Sequence, residues 1–403
     1  MLANVCVDSH MRDLLEAGFE VAVVRDAVAA PKLPDGDGYL AALINYRFMA
    51  NASGPRTRRS ISSWQALARA ASAVDREGIM TRSNIATVPA GLFGMVLGLA
   101  GLGGAWRAGH VVWALPVFVG ELVMLTAGFV WLILTSLYAL KWLIARDVAL
   151  AELAHPVQCC FVGLVGVATM LVAGGLAPYS YGVALALYIG GALFTFGFAI
   201  WRTGGLWQGG RDIIQTTPVL YLPSVAGSFV ASTVGGALGF ADLGTFFFGM
   251  GFFTWLAIES ALLHRLLTAP TLTSALRPTL GIQLAPPVVG AVALIAVAPQ
   301  APILLVHAMI GYGVLQVLIL LRLLPWILKE PFAPSYWAFS FGVTALAIAP
   351  IRLIALGDDG VILYLAPVLF GFANLFMLIL TAGTICRLLQ GRLLPPPNVA
   401  PTP

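Results

Sequence analysis

Long apolar segments separated by short polar ones make up most of the chain from Val88 onward. Each segment is about 20 residues long, enough for a helix to cross a bilayer about 30 Å thick. The pattern predicts ten membrane-spanning helices, near residues 88–106, 113–143, 156–175, 179–202, 216–238, 244–267, 279–298, 302–324, 335–356 and 361–387. Residues 1–52 instead alternate short apolar strands with charged helical stretches, which is typical of a small α/β unit.

Composition agrees with a membrane protein. Hydrophobic residues make up 59% of the chain and charged residues 10%, and the mean hydropathy is +0.91. Soluble domains carry about a quarter charged residues, so this chain has too few to cover a water-facing surface. The expected fold is an all-α polytopic membrane protein preceded by a small, truncated α/β fragment.

The basic residues predict the orientation of the spans. Ten of them lie at one side of the predicted bilayer, and only Arg107 and Arg352 lie at the other. The ten are Lys141, Arg146, Arg202, Arg211, Arg265, Arg277, Arg322, Lys329, Arg387 and Arg392. Because cytoplasmic loops are enriched in lysine and arginine, both termini are predicted to be cytoplasmic in a multi-pass inner-membrane protein.

Every odd-numbered span contains proline, usually with glycine nearby. Proline frees a carbonyl group and bends the helix, which a membrane tolerates where protein or water satisfies the backbone. We therefore expect five helical hairpins around a central pore, with the odd spans inside, although proline is also simply common in membrane helices. The candidate pore-lining residues are Pro89, Phe93, Gly94, Pro223, Ser228, Pro286, Pro287, Phe339 and Gly342.

Three stretches of the predicted spans carry a family resemblance: 88–107 (VPAGLFGMVLGLAGLGGAWR), 277–290 (RPTLGIQLAPPVVG) and 331–347 (PFAPSYWAFSFGVTALA). Over about residues 82–390 the chain resembles the TehA and SLAC1-like family of tellurite-resistance and C4-dicarboxylate transporters and anion channels. The resemblance implies five hairpins around a pore, usually in a homotrimer, and it assigns the pore gate to Phe341. Gly342 stands where the family often has proline.

That resemblance implies a small anion as the transported partner and the lipid bilayer as the surroundings. Tellurite, C4-dicarboxylates, sulfite, nitrate and chloride all remain open, as does the choice between a channel and a proton-coupled transporter. Glu121 and Glu259 are expected to be structural carboxylates in outer spans, with proton coupling as the alternative. Arg352 could attract anions into the pore or serve as an interfacial residue.

The amino-terminal part carries a second resemblance. Residues 4–27 (NVCVDSHMRDLLEAGFEVAVVRDA) resemble the carboxy-terminal third of isochorismatase-like cysteine hydrolases, whose nucleophile corresponds to Cys6. The acid and lysine partners of that nucleophile lie in an earlier part of the family's fold, before the residue that matches Met1. Without them the thiol lacks activation, so the fragment is expected to be inactive. The alternative is a fused hydrolase whose product the membrane domain exports.

The remaining segments suggest no further chemistry. Residues 53–84 form a basic linker with a possible surface helix at 64–76, and residues 391–403 form a proline-rich cytoplasmic tail. The linker arginines lack the interleaved aromatic residues of a nucleic-acid site, so no nucleic-acid partner is expected. The histidines form no close pair on one helix, so we expect neither a metal site nor a cofactor, and a membrane haem or metal protein remains the weaker alternative.

Overall fold

The computed structural model describes residues 7–16, 21–24, 32–33, 36–49, 52–54, 88–329 and 331–394. Contacts divide the chain into two units, Met1–Thr81 and Arg82–Pro403. Among the described residues, ten helices are long and apolar enough to cross a membrane, which confirms the predicted number. Spans 1 to 10 are, in order, Ala90–Trp113, Val117–Ile144, Cys159–Leu176, Tyr181–Leu206, Pro218–Ala237, Ala241–Thr268, Ser274–Val297, Ile303–Ile327, Pro334–Ala355 and Ile362–Leu389.

The spans form an inner and an outer set. In the most apolar stretch of each odd-numbered span, 67% to 94% of the residues are buried, against 17% to 39% in each even-numbered span. The even spans expose large side chains such as Phe118, Phe246 and Leu304, which suits helices that face lipid. The odd spans pack on one another instead, so the predicted arrangement with the odd spans inside is present.

Each odd span changes its helical form partway along. Spans 1, 7 and 9 begin as 3₁₀ helices, at Ala90–Phe93, Ser274–Leu284 and Pro334–Phe339, before continuing as α-helices. Span 5 contains a π-helical turn at Leu222–Ala226, and span 3 is interrupted at Gly163. These joints all lie toward the amino-terminal end of their span, and therefore at one face of the membrane domain.

Proline accounts for some of these joints. Pro223 lies in the π-helical turn, and Pro286 and Pro287 follow Ala285, the first residue of the α-helical part of span 7. Pro350, in contrast, lies inside the continuous helix Ser340–Ala355. Pro325 and Pro367 lie inside the outer spans 8 and 10, whereas Pro89 and Pro156 lie just before spans 1 and 3. Proline therefore marks neither the inner helices nor the positions of the joints by itself.

We call the face that contains Pro89 and Arg392 the basic face, because the ten basic residues named above belong to it. A short helix, Arg146–Ala154, lies at this face between spans 2 and 3. This helix lies between the predicted spans 113–143 and 156–175 and is not among the spans predicted from the sequence. The opposite face is called the far face. It contains Arg107 and the connection between spans 9 and 10, which includes Asp358.

The described part of the amino-terminal unit contains two helices, Asp8–Glu16 and Gly38–Met49. Strands Ala22–Val24 and Ala52–Gly54 pair in parallel, and Lys32–Leu33 pairs with Gly36–Asp37 in an antiparallel hairpin. Met11, Val23, Ala42 and Tyr46 form a small core. Cys6, most of the first apolar stretch at residues 2–7, which is a predicted strand, and the possible helix at 64–76 lie outside the described residues.

Candidate functional site

A large cavity opens at the basic face of the membrane domain, with a volume of about 1250 Å³. All five odd spans contribute to its wall, through residues such as Leu97, Leu164, Val225 and Ile282. Most of this wall is apolar. Charged residues line it where the helix Arg146–Ala154 and the segment after span 10, at Arg392, approach.

A second cavity, of about 370 Å³, occupies the far-face half of the domain. It too is lined by all five odd spans, through Gly104, Leu171, Thr233, Val292 and Ala345 among others. The two cavities together follow the centre of the inner set of helices. They provide the geometry of a route from one face of the domain to the other.

Among the described residues, Phe341 and Val289 line both cavities. Phe341 lies in span 9, one residue after the 3₁₀ helix gives way to the α-helix at Ser340. Val289 lies in the first turns of the α-helical part of span 7. An apolar ring and a branched aliphatic side chain therefore stand at the place where the two cavities meet.

Three of the predicted pore-lining residues line the basic-face cavity: Pro89, Gly94 and Pro286. Gly94 is the first residue of the α-helical part of span 1, and Pro286 is the second residue of the corresponding part of span 7. The structure therefore brings together residues 89, 94, 286 and 341 from the three stretches that carried the family resemblance.

Phe339 and Gly342 flank Phe341 but line neither cavity. Phe339 is 5% exposed, and its ring lies 5.8 Å from that of Phe376 in span 10. A Cβ atom on Gly342 would lie 3.0 Å from the backbone nitrogen of Ala285, so this glycine allows spans 7 and 9 to approach closely. Successive side chains on a helix point about 100° apart, so the three neighbours face different partners.

The other four predicted residues also pack into helix contacts and line neither cavity. Phe93 meets Tyr138 edge to face, with ring centroids 6.0 Å apart. Pro223 lies beside Gly163 of span 3, and Pro287 is buried. Ser228 is 3% exposed, and its hydroxyl donates to the carbonyl of Ser224 at 2.6 Å, so this donor is already used inside its own helix.

Lys141 and Glu152 form an ion pair at the edge of the basic-face cavity. Lys141 Nζ lies 2.8 Å from Glu152 Oε2 and also donates to the carbonyl of Val88 at 3.0 Å. The backbone N–H of Ala90 donates to Glu152 Oε1 at 2.8 Å. These bonds anchor the first turn of span 1, whose N–H groups have no partner within the helix. The role of Glu152 could not be predicted from the sequence, because its partners are distant along the chain.

Arg107 and Arg352 both line the far-face cavity, but their surroundings differ. Arg107 makes a two-pronged ion pair with Glu121, at 2.7 and 2.9 Å, and donates to the carbonyl of Gly175. The hydroxyl of Tyr179 donates to the same carboxylate at 2.6 Å, and this bond raises the pKa of Tyr179. The guanidinium of Arg352 makes no hydrogen bond or ion pair with any described residue, so the positive charge of this cavity resides on Arg352.

Glu259 in span 6 is held by four donors from four different spans. Tyr221 and Trp255 donate to Oε2 at 2.5 and 2.9 Å, while Gln283 and Tyr312 donate to Oε1 at 2.8 and 2.6 Å. The carboxylate is 8% exposed and lines neither cavity. The carboxylate therefore links spans 5, 6, 7 and 8 through neutral donors, and no described cation pairs with it.

His155 lies in the wall of the basic-face cavity, immediately before span 3. Its Nδ1 accepts hydrogen bonds from the backbone N–H groups of Val157 and Gln158, both at 3.1 Å. Burial lowers the pKa of this imidazole. Within the part of the chain that the structure describes, no group of three or more His, Cys, Asp or Glu side chains is placed to hold a metal ion.

Comparisons with known proteins agree with this architecture. Residues 87–385 match the family model described as voltage-dependent anion channel, SLAC1. The chain is 33% identical to the tellurite resistance protein TehA homolog of Haemophilus influenzae over 306 residues, which is 76% of this chain and 92% of that protein. It is 25% identical to the S-type anion channel SLAH3 of Arabidopsis thaliana over 314 residues, covering 74% and 48% of the two chains. The chain is a multi-pass membrane protein that belongs to the SLAC1 voltage-dependent anion channel family.

Proposed function

We propose that the membrane domain moves small anions through the two central cavities, and that Phe341 is the gate between them. The observation that carries this proposal is that Phe341 lines both cavities, at the junction where Val289 faces the same space. An ion that passes an apolar ring loses hydration without replacement, so a close-fitting phenylalanine is an effective barrier. Rotation of this side chain would join the cavities into one path.

The distribution of charge favours anions. Arg352 gives the far-face cavity an unpaired positive charge, whereas Glu121 is neutralised by Arg107 and Glu259 lies outside both cavity walls. At the basic face, Asp147 and Glu152 are balanced by Lys141 and Arg392. Oriented cations and few free carboxylates lower the energy of an anion relative to a cation along such a path.

The substrate belongs to the class of small inorganic or organic anions, with tellurite, C4-dicarboxylates, sulfite, nitrate and chloride as the candidates. The names of the relatives suggest two kinds of substrate, since one names tellurite resistance and the other an anion channel. Both kinds of substrate are compatible with a basic-face cavity of about 1250 Å³ that meets the far-face cavity at Phe341. Ranking these anions is therefore part of the test.

The test is anion flux into liposomes that contain the purified protein, measured for each candidate anion with and without a proton gradient. Phe341→Ala should raise the flux severalfold, because it removes the ring at the junction. The matched control is Phe339→Ala, which removes a neighbouring ring that packs on Phe376 and lines neither cavity. Equal flux in wild type and in a folded Phe341→Ala protein would exclude the gate.

The proton-gradient arm distinguishes two mechanisms. Flux that is independent of the gradient indicates a channel, whereas flux that requires it indicates a proton-coupled transporter. In the second case the carboxylates Glu121, Glu152 and Glu259 become candidates for the proton site.

We also propose that the protein lies in the inner membrane as a homotrimer, with both termini in the cytoplasm. The excess of basic residues at the face of Arg392 supports this orientation. The family resemblance supports the trimer. Protease accessibility of a carboxy-terminal tag in inside-out vesicles tests the orientation, and the mass of the purified protein in detergent tests the trimer.

For the amino-terminal unit we propose an inactive fragment of an isochorismatase-like hydrolase, in residues 1–52, joined by the linker 53–84. The helices Asp8–Glu16 and Gly38–Met49 and the parallel strand pair are compatible with part of such a fold. The alternative, an active hydrolase with Cys6 as its nucleophile, predicts that Cys6→Ser abolishes hydrolysis and leaves anion flux unchanged. A lack of hydrolysis by the wild-type protein excludes that alternative.

A further inference from the structure

Two arginines at the basic face lie side by side without an acidic partner. Arg202 is near the end of span 4, and Arg211 follows in the connection to span 5. Burial lowers the pKa of Arg211, and the neighbouring positive charge of Arg202 acts in the same direction. Neither makes an ion pair with a described residue, and the side chains nearest to the pair include the thiols of Cys159 and Cys160 at the beginning of span 3.

Their hydrogen-bonding capacity is only partly used. Arg202 Nη2 donates to the carbonyl of Pro156 at 3.0 Å, and Arg211 Nη2 donates to the carbonyl of Gln215. Three further nitrogens, Arg202 Nε and Arg211 Nε and Nη1, are buried and have no acceptor. A buried N–H group without an acceptor is costly, and a charged one more so. The arrangement therefore lacks an anionic acceptor.

The surroundings indicate where that acceptor would come from. Trp201 and Trp207, on either side of the end of span 4, are 55% and 86% exposed. Ile213 and Ile214 beside Arg211 are also about half exposed, at 47% and 48%. Tryptophan exposed at a helix end is typical of the membrane interface, where lipid phosphates lie. The unpaired donors are therefore at headgroup depth.

We propose that Arg202 and Arg211 form a binding site for an oxyanion of the phosphate class, either the headgroup of an anionic phospholipid or free phosphate. Two guanidinium groups offer forked donors that match the geometry of phosphate oxygens. The exposed tryptophans favour the lipid headgroup as the source. This site is separate from the central cavities, since neither arginine lines them.

Occupancy of this site would act on the basic-face cavity through span 3. Arg202 is bonded to the carbonyl of Pro156, and Gln158 and Phe161, just beyond it, are part of the cavity wall. A ligand that fixes both arginines would therefore hold the beginning of span 3 in place. The inference does not depend on the anion gate at Phe341.

The test is a thermal-shift titration of the full-length protein in a neutral detergent. The probes are short-chain phosphatidylglycerol, short-chain phosphatidylcholine and inorganic phosphate. Wild type should show saturable stabilisation by phosphatidylglycerol, with little effect of phosphatidylcholine. Arg202→Gln and Arg211→Gln should each weaken the apparent affinity by about tenfold, the effect of losing one charge-assisted contact.

The matched control is Arg322→Gln, which removes an exposed arginine at the basic-face end of another even span and should leave the titration unchanged. Saturable binding of inorganic phosphate that is lost in the same variants also supports the site and identifies a free oxyanion as the ligand. The proposal is overturned if wild type binds neither phosphatidylglycerol nor inorganic phosphate saturably, or if Arg202→Gln and Arg211→Gln bind as Arg322→Gln does. Because Arg202→Gln and Arg211→Gln are measured separately, one folded variant is enough for this comparison.

Discussion

Gly101 in span 1 and Thr344 in span 9 are so close that a Cβ atom on the glycine would lie 2.1 Å from Thr344 Oγ1. One turn earlier, a Cβ atom on Gly98 would lie 2.5 Å from the side chain of Ser340. Small residues in this spacing let two membrane helices approach closely along a common face. This contact holds the segment of span 9 that presents Phe341 to the cavities.

Replacing Gly101 by alanine should therefore destabilise the membrane domain. Overpacking of a tight contact typically costs about 1–3 kcal/mol, so Gly101→Ala should lower the melting temperature measured in detergent. Gly104→Ala is the matched control in the same helix, because its added methyl would meet Ile348 Cδ1 at an ordinary 3.5 Å. Equal melting temperatures for the two variants would show that the contact between Gly101 and Thr344 has room for a methyl group.

Removal of the carboxylate of Glu259 should cost more. In Glu259→Ala, the donors of Tyr221, Trp255, Gln283 and Tyr312 lose their common acceptor, and each buried unsatisfied donor costs about 1–3 kcal/mol. Glu259→Gln keeps one carbonyl acceptor and should fall between wild type and alanine in melting temperature. Because Glu259 lines neither cavity, the order of anion preference should be the same in folded Glu259→Gln protein as in wild type. A changed preference would show that this carboxylate influences the path directly.

Neutralising Arg352 should reduce anion flux. Its guanidinium is the unpaired cation of the far-face cavity, so Arg352→Gln should lower the flux severalfold at low ionic strength. The difference should shrink at high salt, since screening weakens the attraction of the charge at a distance. Arg352→Lys keeps the charge and serves as the control. A loss of flux that is the same at all salt concentrations would indicate a structural role for this arginine instead.

Acidification should weaken the fold at the beginning of span 3. Burial depresses the pKa of His155, so the folded protein favours the neutral imidazole that accepts two backbone N–H bonds. The unfolded chain takes up this proton near the ordinary pKa of about 6.5. Stability from His155 is therefore present above that pH and is lost as the pH falls through it toward the lowered folded value.

Melting temperatures at pH 8 and pH 5.5 test this dependence. Asparagine can accept the same backbone bonds without titrating, so His155→Asn should flatten the decrease. His264→Asn, which replaces an exposed histidine, should leave the decrease as in wild type. A wild-type decrease that persists unchanged in His155→Asn would assign it to other groups.

The number of spans and the division into inner and outer helices could be predicted from the sequence. Segment length and apolar content depend on the bilayer alone. Proline pointed to the correct set of inner helices, but it is not a reliable criterion, because Pro325 and Pro367 lie inside the outer spans 8 and 10. Individual lining residues were harder to predict, because the side-chain direction depends on where each helix changes form. Phe339 and Phe341 are two residues apart, yet one packs on Phe376 and the other reaches both cavities.

Contacts between distant residues could not be predicted. Glu152 holds the beginning of span 1, and Val289 lines both cavities together with Phe341, but the sequence around neither residue indicates these roles. The donors to Glu259 come from four spans, and no pattern along the chain indicates that their side chains converge. Such sites depend on how helices pack together, which a single sequence does not record.

The contrast between buried odd spans and exposed even spans has a consequence for divergence. A lipid-facing side chain can be exchanged for another apolar one at little cost, whereas a residue between two close helices cannot change size without moving its neighbour. Substitutions should therefore accumulate in the even spans, whereas sequence similarity between relatives should persist longer in the odd spans. The three stretches that carried the family resemblance lie in spans 1, 7 and 9, where the close contacts of Gly98, Gly101, Gly281 and Gly342 leave few alternatives.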